Sequence, residues 1–78
     1  MRRQQMSNVL ETDSRIYKIY LVLSHVAAFI PYDLGDGDIG VTVYFSGGGH
    51  TEHLFRDRVE RDQFCQQLTD GLANLSKP

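Results

Sequence analysis

The sequence lacks the disulfides that hold small secreted domains together. It is 78 residues long and has a single cysteine, Cys65, which can form no bridge within the chain. Small exported domains usually carry several disulfides because their cores are too small to be stable alone. Residues 1–3 begin with a basic stretch, but polar residues follow where a signal peptide would need an apolar one. We therefore expect a cytoplasmic protein.

The sequence also lacks a long hydrophobic run and an excess of positive charge. Its longest apolar-rich run, residues 16–30, contains Lys18 and His25 and is shorter than the roughly 20 apolar residues of a membrane-spanning helix. Eight basic and ten acidic residues give a net charge of -2, so the whole chain is not attracted to nucleic acid phosphates. We expect no membrane span, and nucleic acid is not the expected partner.

The length allows one domain, because two would each be too small to offset their loss of conformational entropy. Residues 15–78 are predicted to form it, and dimerisation would add stability to so small a core. Residues 1–14 are polar and without sustained periodicity, which predicts a flexible N-terminal arm. The alternative for this arm is a short docking helix that orders on a partner.

Residues 16–23 are rich in β-branched and aromatic side chains and are predicted to form a strand. After a break at Ser24 and His25, a second strand is expected over 25–32, with Val26, Ala28 and Ile30 on one face. Its proline belongs at a strand end or a sheet edge. The apolar residues of 16–30 also fit a helical period, so a helix there is the alternative.

The second half of the chain has clearer signals. Residues 39–45 alternate between apolar and small or polar side chains, and a glycine-rich turn leads to a pairing strand over 50–56. Asp57 and Glu60 form a capping pattern before a helix over 58–75. The apolar stripe of this helix consists of Phe64, Leu68, Leu72 and Leu75, with Cys65 beside them. The prediction is an α+β fold: an antiparallel β-meander of three to four strands packed by one C-terminal helix.

Several motifs that suggest chemistry fail on spacing. The acidic loop 33–38 does not place oxygen ligands in the register of a calcium loop. On a strand, His50 and Glu52 point one way and His53 the other, which is not a metal-binding arrangement. Cys65 lies on the apolar stripe, where a cysteine is a small hydrophobe rather than a nucleophile. We assign no catalytic, metal or cofactor residues and expect no enzyme activity and no small-molecule substrate.

One arrangement runs through residues 16–75: a strand, the segment 23–29 (LSHVAAF), a glycine-rich turn, the segment 41–45 (VTVYF), another strand and an acidic-capped helix. It resembles the layout of small bacterial and phage β-meander-plus-helix proteins, a group that includes FlbD-like flagellar regulators. The resemblance implies a small regulatory or accessory protein. It carries over no functional residue, because layout alone does not determine function.

The leading hypothesis is a non-enzymatic interaction module that presents a sheet edge or the helix-flanking surface to a protein partner or to a second copy, as a homodimer. Tyrosine and arginine are enriched at such interfaces. The predicted surface consists of Tyr17, Lys18, Tyr20, Arg56 and Arg58. The alternative is a nucleic-acid-associated transcriptional regulator whose local basic patch is formed by Arg2, Arg3, Arg15 and Lys18 beside Tyr17 and Tyr20. An enzyme built from His50, Glu52 and His53 is a third hypothesis.

Overall fold

The computed structural model describes residues 8–75. Its elements are, in chain order, β1 (Val9–Asp13), β2 (Lys18–Val22), β3 (Val26–Asp33), β4 (Ile39–Phe45), β5 (His50–Phe55) and α1 (Arg58–Leu75). All strand pairings are antiparallel, and α1 packs on the strands, so the α+β prediction is confirmed. No helix among these residues is long and apolar enough to cross a membrane.

Residues 8–75 contain five strands rather than three or four, and the additional strand is β1. It lies within the segment that was predicted to be a flexible arm, of which residues 1–7 are outside the described part of the chain. β1 forms a hairpin with β2, in which Leu10 lies opposite Leu21. Leu10 packs against the core, whereas the neighbouring side chains of β1 include exposed carboxylates. β2 contributes two buried side chains of the core, Ile19 and Leu21.

The five strands form two sheets, which corrects the prediction of a single one. One sheet is the β1–β2 hairpin, and the other is a meander in the order β3-β4-β5. A 3-10 turn at Leu23–His25 separates β2 from β3, at the break expected from Ser24 and His25. This turn directs β3 to pair with β4 instead of β2. The alternative of a helix over residues 16–30 is wrong.

A β-bulge in β3 changes the face on which one of its side chains lies. The pairing with β4 shifts between Val26 and Ala28, so that Ala27 is an extra residue. Val26 therefore packs against the core together with Phe29, while Ile30 is exposed. The prediction of Val26, Ala28 and Ile30 on one face is wrong at Val26, because simple alternation does not anticipate a bulge.

The helix α1 begins where the capping pattern predicts. The carboxylate of Asp57 accepts a hydrogen bond from the Glu60 N–H at 2.9 Å. The carboxylate of Glu60 reaches back to the N–H of Arg56 at 3.2 Å, one residue before the amide that a capping box usually uses. Both interactions satisfy backbone donors next to the start of the helix, which fixes where α1 leaves β5.

The core lies where α1 meets both sheets. Its buried apolar residues are Ile19, Leu21, Leu23, Val41, Val43, Phe55, Phe64 and Leu68. Gly71 of α1 lies against the 3-10 turn, and a Cβ at this position would be 2.8 Å from the Cδ1 atom of Leu23. Glycine here allows the helix to approach the turn closely. The predicted stripe ends before Leu75, which is 38% exposed at the end of the helix.

Candidate interaction surface

Two separate sheets have four edges, and the backbone of each edge strand decides whether another strand can pair with it. In β2, the direction of the backbone groups follows from the hairpin. The N–H of Leu23 donates to the carbonyl of Asn8, and the N–H of Ser14 donates to the carbonyl of Tyr17. The backbone N–H and C=O groups of odd-numbered residues in β2 therefore point towards β1. Even-numbered residues of β2 therefore direct their N–H and C=O groups to its other side.

The edge of β3 is protected. The Leu34 N–H donates to the Asp38 carbonyl, which places Pro31 among the residues whose backbone faces away from β4. Proline has no N–H, so it removes a donor from the open side of β3. The bulge at Ala27 further interrupts this edge.

The outer edge of β5 is also protected, by the tip of the β1–β2 hairpin. The N–H of Arg15 donates to the carbonyl of Leu54 at 2.8 Å. The hydroxyl of Tyr17 lies 3.3 Å from the carbonyl oxygen of Glu52 and donates to it. These carbonyls face away from β4 and would otherwise accept hydrogen bonds from an additional strand.

The same contact buries an imidazole between the two sheets. His53 Nδ1 lies 3.2 Å from the Tyr17 hydroxyl, and its Nε2 lies 2.9 Å from Thr51 Oγ1. The His53 ring also makes an edge-to-face contact with Phe64 of α1. Burial lowers the pKa of His53. His53 of β5 therefore contacts the hairpin through Tyr17 and the helix through Phe64.

The outer face of the hairpin carries the charges that protect β1. Glu11 and Asp13 lie on this face, and Lys18 is placed 3.3 Å and 3.5 Å from their carboxylates. The hydrogen bond with Glu11 and the charge of Asp13 raise the pKa of Lys18. The ammonium group of Lys18 is thus held over β1, and β2 has no other charged residue along its open edge.

The open side of β2 borders a groove of about 550 Å³. Its lining residues are Tyr20, Leu21, Val22, His25, Phe45, Ser46, Gly47 and Gly48. Tyr20 is 63% exposed and Val22 is 41% exposed, although both are apolar enough to favour burial. We call this groove and the open side of β2 the β2 edge. Within residues 8–75, it is the strand edge that is least protected against pairing.

The five residues predicted to form one surface lie in three places. Tyr17, Lys18 and Arg56 line a hollow of about 510 Å³ at the hairpin tip and the start of α1. Tyr20 lies on the β2 edge. Arg58 is engaged within the chain, because its Nε donates to Asp33 Oδ2 at 2.6 Å. A hydrogen bond from the Gly35 N–H, and then that from Arg58, lower the pKa of Asp33.

The remaining candidates are separate side chains. His50 and Glu52 are exposed whereas His53 is buried, as the strand alternation predicts. Cys65 is half-buried, and burial raises the pKa of its thiol. No group of three or more His, Cys, Asp or Glu side chains in the described part of the chain is placed to hold a metal ion. The arginines at positions 2 and 3 lie outside the described residues.

Sequence reasoning missed the far wall of the groove. The turn after β4, at Ser46 to Gly48, lies beside β2 because Ser46 donates from its N–H to the carbonyl of His25 at 2.8 Å. No sequence signal links positions 21 residues apart through one backbone hydrogen bond. A second exposed surface was also missed, on the outer face of β3-β4-β5, where Ile30 and Tyr44 are exposed.

Comparison of the chain with protein-family models, with curated proteins and with solved structures found no significant match. The similarity to FlbD-like regulators is therefore limited to a layout of antiparallel strands and one helix.

Proposed function

We propose that this chain is a small, non-enzymatic protein-interaction module that binds an extended protein segment along the β2 edge. The observation that supports the proposal is the difference between this edge and the other three. The outward backbone groups of β2 belong to Lys18, Tyr20 and Val22, beside an open and partly apolar groove. A proline interrupts the edge of β3, the hairpin tip covers the edge of β5, and two carboxylates protect the edge of β1.

Strand addition suits such a surface. Main-chain hydrogen bonds supply affinity that depends little on sequence, and side chains at alternate positions supply selectivity. Tyr20 contributes an aromatic ring for a cross-strand pair, which is worth roughly 0.2–1 kcal/mol. Its exposed position on a strand is the kind of site at which tyrosine is enriched in interfaces.

We further propose that the module has a regulatory or accessory role in the cytoplasm of a bacterium or in a phage. The layout that it shares with FlbD-like flagellar regulators supports this role. Fold-level similarity raises the expectation without assigning a residue. The absence of disulfides is consistent with a reducing compartment.

Site-specific photo-crosslinking tests the interaction. A benzophenone amino acid replaces Tyr20 in one version of the chain and Tyr44 in a matched control, since both are exposed tyrosines on strands. After irradiation in the producing cells, mass spectrometry identifies the attached protein segment. We expect an adduct with a defined segment at position 20 in several-fold excess over position 44. Equal yields at the two positions, or no adduct at position 20, would contradict the proposal.

A further inference from the structure

We propose that the segment bound by the β2 edge is β2 of a second copy, paired antiparallel about a two-fold axis at Tyr20. This inference rests on the proposed function and names its partner. A symmetric dimer of this kind would join the two hairpins into one sheet in the order β1-β2-β2-β1. Two-fold dimers are the commonest closed assemblies of identical chains.

The backbone of β2 is self-complementary about its central residue. The outward groups of the strand belong to Lys18, Tyr20 and Val22, which are symmetric about position 20. In an antiparallel pair centred there, Tyr20 meets Tyr20 of the second copy and Lys18 meets Val22. Each of these pairs is of the hydrogen-bonded type, so every outward N–H faces an outward carbonyl.

Other registers are less favourable for reasons that the same residues supply. A slip by one residue would turn the inward-facing groups of Ile19 and Leu21 towards the partner. A register centred on Lys18 would put two ammonium groups opposite each other, and like charges directly opposite are unfavourable. A register centred on Val22 would extend into the 3-10 turn Leu23–His25, where the strand has ended.

The side chains fit the register centred on Tyr20. The two Tyr20 rings would form an aromatic cross-strand pair on the outer face. Lys18 would lie beside Val22 of the second copy, which can cover its aliphatic stem while Glu11 and Asp13 hold the ammonium group. The two copies of Lys18 would be roughly 13 Å apart along the strands.

Disulfide trapping tests the register. All variants carry Cys65→Ser, which leaves one introduced cysteine in each chain. Under mild oxidation, Tyr20→Cys should form a covalent dimer, since paired Cα atoms about 5.5 Å apart are within disulfide range. Lys18→Cys and Val22→Cys should form few dimers alone, but an equal mixture of these two should form the heterodimer in several-fold excess over either homodimer.

A backbone variant tests whether pairing along the strand causes the association. Val22 has a φ angle of -83°, which proline can adopt, and its N–H faces the open edge. Val22→Pro should keep the far-ultraviolet circular dichroism of the parent and weaken the dimer at least tenfold in sedimentation velocity. The control is Val22→Ala, which removes the valine side chain but keeps the N–H on the open edge.

The outcomes separate this inference from the proposed function. A parent chain that stays monomeric at high micromolar concentration would overturn the self-pairing. So would equal disulfide yields at positions 18, 20 and 22, because these indicate random collision. If a different protein is attached at position 20 in the photo-crosslinking experiment, the β2 edge is still an interaction site and only its partner has been misidentified.

Discussion

The three-stranded sheet and the β1–β2 hairpin each have two edges, but the three-stranded sheet has both of its edges blocked. A proline and a bulge interrupt β3, and the hairpin tip covers β5 at Leu54. The hairpin has only two carboxylates on β1 and leaves β2 open. Exposed strand edges are a hazard that proteins usually suppress. The contrast between this open edge and the three protected ones is the basis for our proposal that β2 pairs with another strand.

Both sheets pack on the helix α1. The largest loss of stability is therefore expected from a substitution that leaves a cavity where α1 meets the sheets. Leu68 of α1 is fully buried, and Leu68→Ala should lower the free energy of unfolding by about 2–5 kcal/mol. Urea denaturation followed by circular dichroism measures this change. The matched control is Leu75→Ala at the exposed helix end, which should cost less than about 0.5 kcal/mol. A loss below that value for Leu68→Ala would mean that α1 does not support the sheets through this face.

A smaller loss of stability is expected from a change inside the three-stranded sheet. A Cβ on Gly40 would lie 2.6 Å from the carbonyl oxygen of His53 and 2.7 Å from the hydroxyl of Tyr32. Gly40→Ala should therefore destabilise the chain by about 1–3 kcal/mol, the usual range for overpacking. Gly47→Ala is the control, because a Cβ there meets nothing within 4 Å. Equal denaturation midpoints for the two variants would contradict this account of the meander.

The contact between the sheets should make stability depend on pH. Burial lowers the pKa of His53, so the unfolded chain binds a proton more readily than the folded one. The contribution of His53 is complete above the ordinary histidine pKa of about 6.5 and is lost as the pH falls below it. Urea denaturation at about pH 7.5 and about pH 5.5 should show this loss.

Two variants identify the histidine responsible for this dependence. His53→Gln should reduce the pH dependence, and the control is His25→Gln, which replaces a histidine whose side chain is exposed beside the groove. An unchanged pH dependence in His53→Gln would show that the buried imidazole is not its source.

Removing the proline from the outer edge of β3 should give the three-stranded sheet an open edge like that of the hairpin, with little change in the free energy of unfolding. Pro31→Thr restores an N–H on the outward side of β3, so assemblies larger than a dimer should appear in sedimentation velocity. Ile30→Thr is the control, because the N–H of this residue faces β4. Identical sedimentation of Pro31→Thr and the parent would show that the proline does not protect β3.

The elements that sequence analysis predicted well have strong local signals. The alternation over residues 39–45 corresponds to β4, and the Asp57 and Glu60 pattern marks the start of α1. In the loop after β3, Gly35 and Gly37 adopt positive φ angles, which glycine does at little cost. These elements can be predicted from the sequence because each depends on residues that are close together along the chain.

The features that sequence analysis missed depend on distant contacts. β1 has few apolar residues and forms because β2 pairs with it, with Leu10 opposite Leu21. The bulge at Ala27 and the division into two sheets follow from the path of the 3-10 turn. Tyr20 was predicted to lie on the interaction surface, but the groove beside it is created by the turn at Ser46 to Gly48. No spacing in the sequence encodes that proximity.

Amide hydrogen exchange of β2, followed by NMR at two protein concentrations, tests the central claim most directly. The amides of Lys18, Tyr20 and Val22 face the open edge, whereas those of Ile19 and Leu21 are bonded to β1. We predict that the three outward amides exchange rapidly in dilute protein and become protected at high concentration. Tyr20→Lys should weaken that protection. Outward amides protected at every concentration would show that the edge is already covered, and rapid exchange at every concentration would show that no second copy binds there.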